Sequence, residues 1–264
     1  MARPSLSTAL AAIVLAASAS AVHAAKVTDC AKVGVCYCIN DDHKPAIDAN
    51  VEKFRQLLAD QRKAGKAVIY LSVPLTSGGG GNFDVNKEVA ASIKAAVEKR
   101  FGADYVYAFS PLVDLPRGAG GAEYMVMWTA LLEGQDGLGA FDAAFFAGPG
   151  DFARYFKFDG NNDMGKLDAY FDNRAATNAD FARAVQNGLT KEAFRKYYAL
   201  RASTTVSRGA HDEWNIFRLI NEKRRADGKL GTPAQIPIVF DGQGVAPATA
   251  ETADSEGYTG KCPM

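Results

Sequence analysis

One short segment concentrates the groups that could do chemistry: Ser207-Arg208-Gly209-Ala210-His211-Asp212-Glu213. Serine and glycine at the start of a helix present backbone N–H groups without intrahelical partners, which suit a phosphate or another anion. Glu213 then lies about two turns in, where a carboxylate can serve as nucleophile or general base. A plainer reading stands beside it, because acidic side chains in the first turns of a helix also offset the helix dipole. Two further segments converge on the same place if the strands form an open parallel sheet, in which ligands bind beyond the carboxyl ends of the strands. One is Tyr70-Leu71-Ser72-Val73-Pro74-Leu75-Thr76 with the glycine run Gly78 to Gly81. The other runs from Asp142 to Gly148-Pro149-Gly150-Asp151, where Asp151 reads as a helix cap.

The elements that must position these groups follow from hydrophobic periodicity. Ile47, Val51, Phe54, Leu57 and Leu58 recur at helical spacing over Ala46 to Lys63, and Gly65 stops that helix. Ala67 to Leu71 is a continuous apolar, β-rich run, as expected of a buried parallel strand. Asp84 can cap a helix whose Val85, Val89, Ile93 and Val97 share a face and which ends near Gly102. Tyr105 to Phe109 reads as a second strand, Ala122 to Leu132 as a helix with Trp128 in the core, and Phe141 to Phe146 as a third strand. Ser207 can cap a helix from Arg208 to about Arg225, and Ile236 to Phe240 reads as the closing strand, its proline near the start. Four strand–helix alternations predict an α/β fold with a doubly wound, mainly parallel, flavodoxin- or Rossmann-like sheet. Residues 149–206 break the alternation with helix formers and many aromatics, and are expected to be a helical insertion before the last strand. The α/β domain is thus expected over 46–240, after a polar cysteine-bearing arm at 25–45 and before a tail at 241–264.

Three of these blocks together resemble the nucleoside 2-deoxyribosyltransferase-like family, which includes deoxynucleotide N-glycosidases. Tyr70-Leu71-Ser72-Val73-Pro74 stands where that family ends its first strand with a Tyr-Leu-Ala-Gly-Pro-like motif. Asn82 or Asn86 matches an early helical asparagine, Ser110-Pro111 a strand ending in proline, and Asp142 an aspartate-bearing strand. Ser207, Gly209 and Glu213 match a helix-opening Ser-x-Gly-x-x-x-Glu, followed by a strand like Ile238-Val239-Phe240. The likeness covers about residues 66–148 and 207–240, and it departs at Val73, where the family has glycine. The resemblance implies that Glu213 attacks the anomeric carbon of an N-glycoside and that Tyr70 orients its carboxylate. It also implies Asp142 as a carboxylate near sugar or base. Ser72, Ser207, Arg208, Gly209 and His211 become the expected substrate contacts, with the Ser207–Gly209 turn holding a 5′-phosphate. The expected small-molecule partner is a nucleoside or nucleotide. The alternative is a non-catalytic binding protein on the same frame, with a protein partner.

Other chemistries lack their signatures. The glycine run has neither the Lys-Ser/Thr of a P-loop nor the acid that follows a dinucleotide fingerprint, and there is no Gly-x-Ser-x-Gly elbow. No cofactor is expected. Lysine plus arginine and aspartate plus glutamate both number 30, so formal charge is zero and no nucleic-acid polymer is expected as a partner. Arg3, the apolar run from Ala9 to Ala19 and Val22-His23-Ala24 read as a signal peptide cleaved after Ala24, too short to span a membrane. The expected location is therefore periplasmic or secreted. In that setting Cys30, Cys36, Cys38 and Cys262 read as two disulfides, with one cysteine of the N-terminal cluster joined to Cys262. The Cys36-x-Cys38 spacing and the few histidines disfavour a metal site, and no metal is expected.

Overall fold

The computed structural model describes residues 25–75, 78–112, 117–227, 235–246, 252–254 and 257–263. The expected signal segment, residues 1–24, lies outside the described residues. The arm expected at 25–45 forms a hairpin, β1 (Lys26–Cys30) and β2 (Cys36–Asn40), paired antiparallel. A long helix α1 (Lys44–Lys63) follows. The main sheet takes β3 (Ala67–Ser72), β4 (Val106–Phe109), β5 (Ala143–Phe146), β6 (Ile238–Phe240) and β7 (Gln243–Val245) in the order β4-β3-β5-β6-β7. The first four are mutually parallel, and β7 is an antiparallel edge strand that the sequence does not announce. Helices α2 (Phe83–Phe101), α3 (Gly121–Leu132) and α8 (Arg208–Asp227) connect the strands. Between β5 and α8 the chain forms α4 (Pro149–Phe156), α5 (Asp163–Thr177), α6 (Ala179–Gln186) and α7 (Lys191–Leu200). Among the described residues no helix is long and apolar enough to cross a membrane.

Period-two alternation along the strands divides the core into two layers. Val68, Tyr70, Tyr107, Phe109, Ala144 and Phe146 face the cluster built with α1, α3, α8 and the hairpin. Ile69, Leu71, Val106, Ala108, Phe145 and Ala147 face the cluster built with α2 and α4 to α7. Strands β3, β4 and β5 are thus covered on both sides, which is why their runs read as continuously apolar. The aromatics of residues 149–206 belong largely to the second cluster, where Phe152, Phe181 and Phe194 are fully buried.

Several boundaries shift for identifiable reasons. Asn82, rather than Asp84, caps α2, its side chain accepting from the N–H groups of Asp84 and Val85 at 3.1 Å. Tyr105, 72% exposed, precedes β4 instead of opening it. Phe141 and Asp142 precede β5, and Ile236 and Pro237 precede β6, where the proline supplies no N–H to the ladder. Asp151 caps α4 as expected, accepting from the Gly148 N–H at 3.0 Å. The glycine run folds into a short 3-10 turn, and Gly80, at φ +104°, abuts the Ala193 carbonyl of α7 so closely that no side chain fits.

The cysteines pair as Cys30–Cys36 and Cys38–Cys262, the second closing a loop of 224 residues. Gly260 N–H donates to Cys36 O at 2.7 Å, Cys262 N–H donates to Thr28 Oγ1 at 3.0 Å, and Thr259 bridges to Tyr37. The tail is therefore stitched to the hairpin by the backbone as well as by sulfur. Replacing Cys38 and Cys262 together with serine is expected to cost on the order of 2–5 kcal/mol of stability. Denaturant melts check the loss, and hydrogen exchange is expected to rise at residues 257–263 first.

Candidate active site

The site follows from where the strand alternation sends Tyr70. Its ring lies on the α8 side of β3, fully buried among Phe109, Phe141 and Phe217 at centroid distances of 5.2 to 6.3 Å. The apolar packing fixes the ring and leaves the hydroxyl as its one polar end. That hydroxyl donates to Glu213 Oε1 at 2.7 Å. Glu213 stands on the second turn of α8, only 5% exposed. Ser72, at the end of the same strand, is 1% exposed; its Oγ lies near the carboxylate without a well-formed hydrogen bond. Burying a carboxyl disfavours its charged form, and this effect outweighs the stabilising hydroxyls of Ser72 and Tyr70. With a further push from Asp212, the Glu213 pKa rises to about 7. Burial, and then the neighbouring Glu213 charge, hold the Tyr70 hydroxyl protonated well above its ordinary range, so it remains a donor.

The carboxyl borders a pocket of about 400 Å³ beyond the carboxyl ends of β3 and β4. Val73 and Leu75 follow β3 into it, and Pro111 follows β4. Two helix starts open onto it: Gly120 and Gly121 at α3, and Ser207 and Gly209 at α8. Both present the positive ends of helix dipoles to one space beside one carboxyl. Ser207 Oγ accepts from the Ala210 N–H at 3.4 Å, and its carbonyl accepts from the His211 N–H, so the serine also acts as the expected cap.

The structure thus brings Glu213, Tyr70, Ser72, Ser207 and Gly209 together, and leaves three expected residues outside. Asp142 sits at the amino end of β5, the opposite edge of the sheet, where its side chain accepts from the Val68 N–H at 2.7 Å. It is half-exposed there and ion-paired with Arg62 at 3.3 Å. This is the job of a strand-edge cap, remote from the sugar position the sequence likeness gives it. Arg208 is the exposed first residue of α8 and does not line the pocket. His211 turns toward the tail, its ring nitrogens meeting the carbonyls of Thr205 and Asp254.

Two residues the sequence reading missed complete the walls. Tyr124, one turn into α3, lines the pocket and fixes its hydroxyl on Pro111 O at 2.6 Å. Tyr258 closes the opposite side, packed so tightly on Gly121 that a side chain there would collide with its ring. Its N–H donates to Asp212 Oδ2 at 2.9 Å, and the Asn215 side chain exchanges two hydrogen bonds with Ala253. Tyr124 follows the Gly118–Gly121 loop and could have been suspected from it. Tyr258 carries no local signal, since the Cys38–Cys262 bond delivers it. Glu123, beside that loop, is structural: its carboxylate accepts from the N–H groups of Gly120 and Asn40. Among the described residues no group of three or more histidine, cysteine or acidic side chains is placed to hold a metal.

The raised Glu213 pKa has a stability consequence of definite sign. The folded form binds this proton more tightly than the unfolded chain, whose value is near 4.5, so the contribution is full below that pH and lost as pH rises through about 7. Glu213→Gln is therefore expected to stabilise the protein at pH 8, by up to about 3 kcal/mol, and to leave stability at pH 4 nearly unchanged. Denaturant midpoints at the two pH values measure the difference; equal effects at both would contradict the assignment. No family model, curated protein or solved structure matches this chain.

Proposed function

We propose that this protein cleaves or transfers the N-glycosidic bond of a nucleoside or nucleotide, with Glu213 as nucleophile. The observation that carries the proposal is the buried Glu213 carboxyl, bonded to Tyr70 at 2.7 Å and open to a pocket bounded by two helix starts. A glycosyl centre entering that pocket meets a carboxylate held at a fixed angle, as a retaining mechanism requires. The ionised carboxylate attacks the anomeric carbon while the carbon–nitrogen bond breaks, its electron pair leaving with the base. The base takes a proton from solvent. Water then attacks the glycosyl ester, placing hydroxyl on the anomeric carbon and returning the carboxylate; a second base in place of water gives transfer. Tyr70 donates to the carboxylate throughout and fixes which oxygen faces the sugar. The Ser207–Gly209 turn supplies N–H groups for a 5′-phosphate. Tyr124 and Tyr258 offer flat walls for the base. The reading dispenses with Asp142, which stands at the wrong edge of the sheet.

A second reading is a binding protein on the same frame, acting as an exported partner of a nucleotide or of another protein. Val73 favours it, because its side chain lines the pocket where the resembled family carries glycine.

Base release by the oxidised protein across a nucleoside and nucleotide panel separates the two. The catalytic reading expects release that falls by at least about 1,000-fold in Glu213→Gln, as removal of a nucleophile does. It further expects kcat/KM to rise with pH through about 7, as the nucleophile ionises. Tight ligand binding with no release at any pH would leave the binding reading.

A further inference from the structure

The wall formed by Tyr124, Pro111 and Leu75 has another side. The same three residues border a second cleft, of about 560 Å³, between α1, α2 and the end of β4. Its character differs from that of the Glu213 pocket. Two large apolar side chains stand in water there, Phe83 at 46% and Leu112 at 37% exposure. Two lysines flank them. Lys87 Nζ lies 4.8 Å over the Phe83 ring and 2.6 Å from Asp84, which hold the ammonium group in place at the cleft. Lys53, one residue before the buried Phe54 on α1, makes no ion pair among the described residues. Among the described residues no acidic side chain lines this cleft, and the carboxylate of Asp84 beside it is paired with Lys87. Ammonium groups beside an exposed aromatic face suit a ligand that is both anionic and flat. An exposed apolar patch flanked by charge, adjoining a candidate catalytic pocket across Leu75, Pro111 and Tyr124, marks a ligand surface.

We propose that this second cleft is a phosphate-recognition subsite, in which Lys53 and Lys87 hold the phosphates beyond the 5′-phosphate of a nucleotide whose sugar reaches Glu213. The preferred substrate is then a phosphate-bearing nucleotide longer than a nucleoside, with Phe83 presenting an aromatic face to its extended arm. The position of the sugar rests on the N-glycosidase reading; the affinity of the cleft for phosphate does not.

The test uses the full oxidised chain carrying Glu213→Gln, to prevent turnover, with adenosine, adenosine triphosphate and inorganic pyrophosphate as calorimetric probes. The triphosphate is expected to bind at least about 10-fold more tightly than adenosine, with pyrophosphate competing for the gain. In Lys53→Met/Lys87→Met the ratio of the two affinities is expected to collapse toward one, and in Lys53→Arg/Lys87→Arg to persist. The arginine pair controls for misfolding. A parent ratio near one, no binding of any phosphate compound, or a ratio untouched by the methionine pair overturns the proposal. A lysine-dependent ratio in a protein that releases no base would retire the glycosidase reading alone. Base release without that ratio would retire the subsite alone.

Discussion

The hydrogen bond between Tyr70 and Glu213 is the constraint on which the rest of the arrangement turns. A carboxyl almost fully removed from water needs donors, and without them the site would cost more than a small domain can spare. Tyr70 is the donor, and it can be one only because its ring is gripped by Phe109, Phe141 and Phe217. Those rings come from β4, the approach to β5 and α8, so three separate segments fix one hydroxyl. The carboxyl is thereby poised near neutrality and aimed at a pocket, a state that burial alone would drive to full protonation.

Topology explains why this can happen where it does. The parallel strands deliver their carboxyl ends to one edge, and the following helices begin there. Strand alternation sends Tyr70 to the α8 layer and Leu71 to the opposite layer, so a slip of one residue in β3 would remove the donor altogether. The tail then supplies the missing wall. Cys262, bonded to Cys38, together with the backbone bridge to Tyr37, carries Tyr258 over the pocket from the far end of the sequence. A stapled strap thus makes part of the site depend on oxidised cysteines.

Much of this was legible from residue pattern. The apolar runs at 67–71 and 105–109 marked strands, the spacing of Val85, Val89, Ile93 and Val97 marked a helix face, and Ser207 marked the start of α8. What escaped did so for physical reasons. The β1–β2 hairpin is short and partly exposed, and its buried residues, Tyr37 and Ile39, are interleaved with cysteines. The strand β7 has three residues and exists only by pairing with β6. Asp142 sits in an apolar run, so sequence cannot tell a residue that opens a strand from one that caps its neighbour. Tyr258 is invisible because a covalent bond between distant residues, rather than local pattern, puts it in place.

The central claim is that Glu213 carries a proton poised near neutrality by burial and by Tyr70. The most direct measurement is the titration of its side-chain carboxyl carbon by NMR in the oxidised protein, alongside Tyr70→Phe. The account predicts a midpoint near 7 in the parent and a higher one once the hydroxyl donor is lost. A midpoint near 4.5 in both proteins would mean that the carboxyl is solvated and unbonded, and would contradict the account.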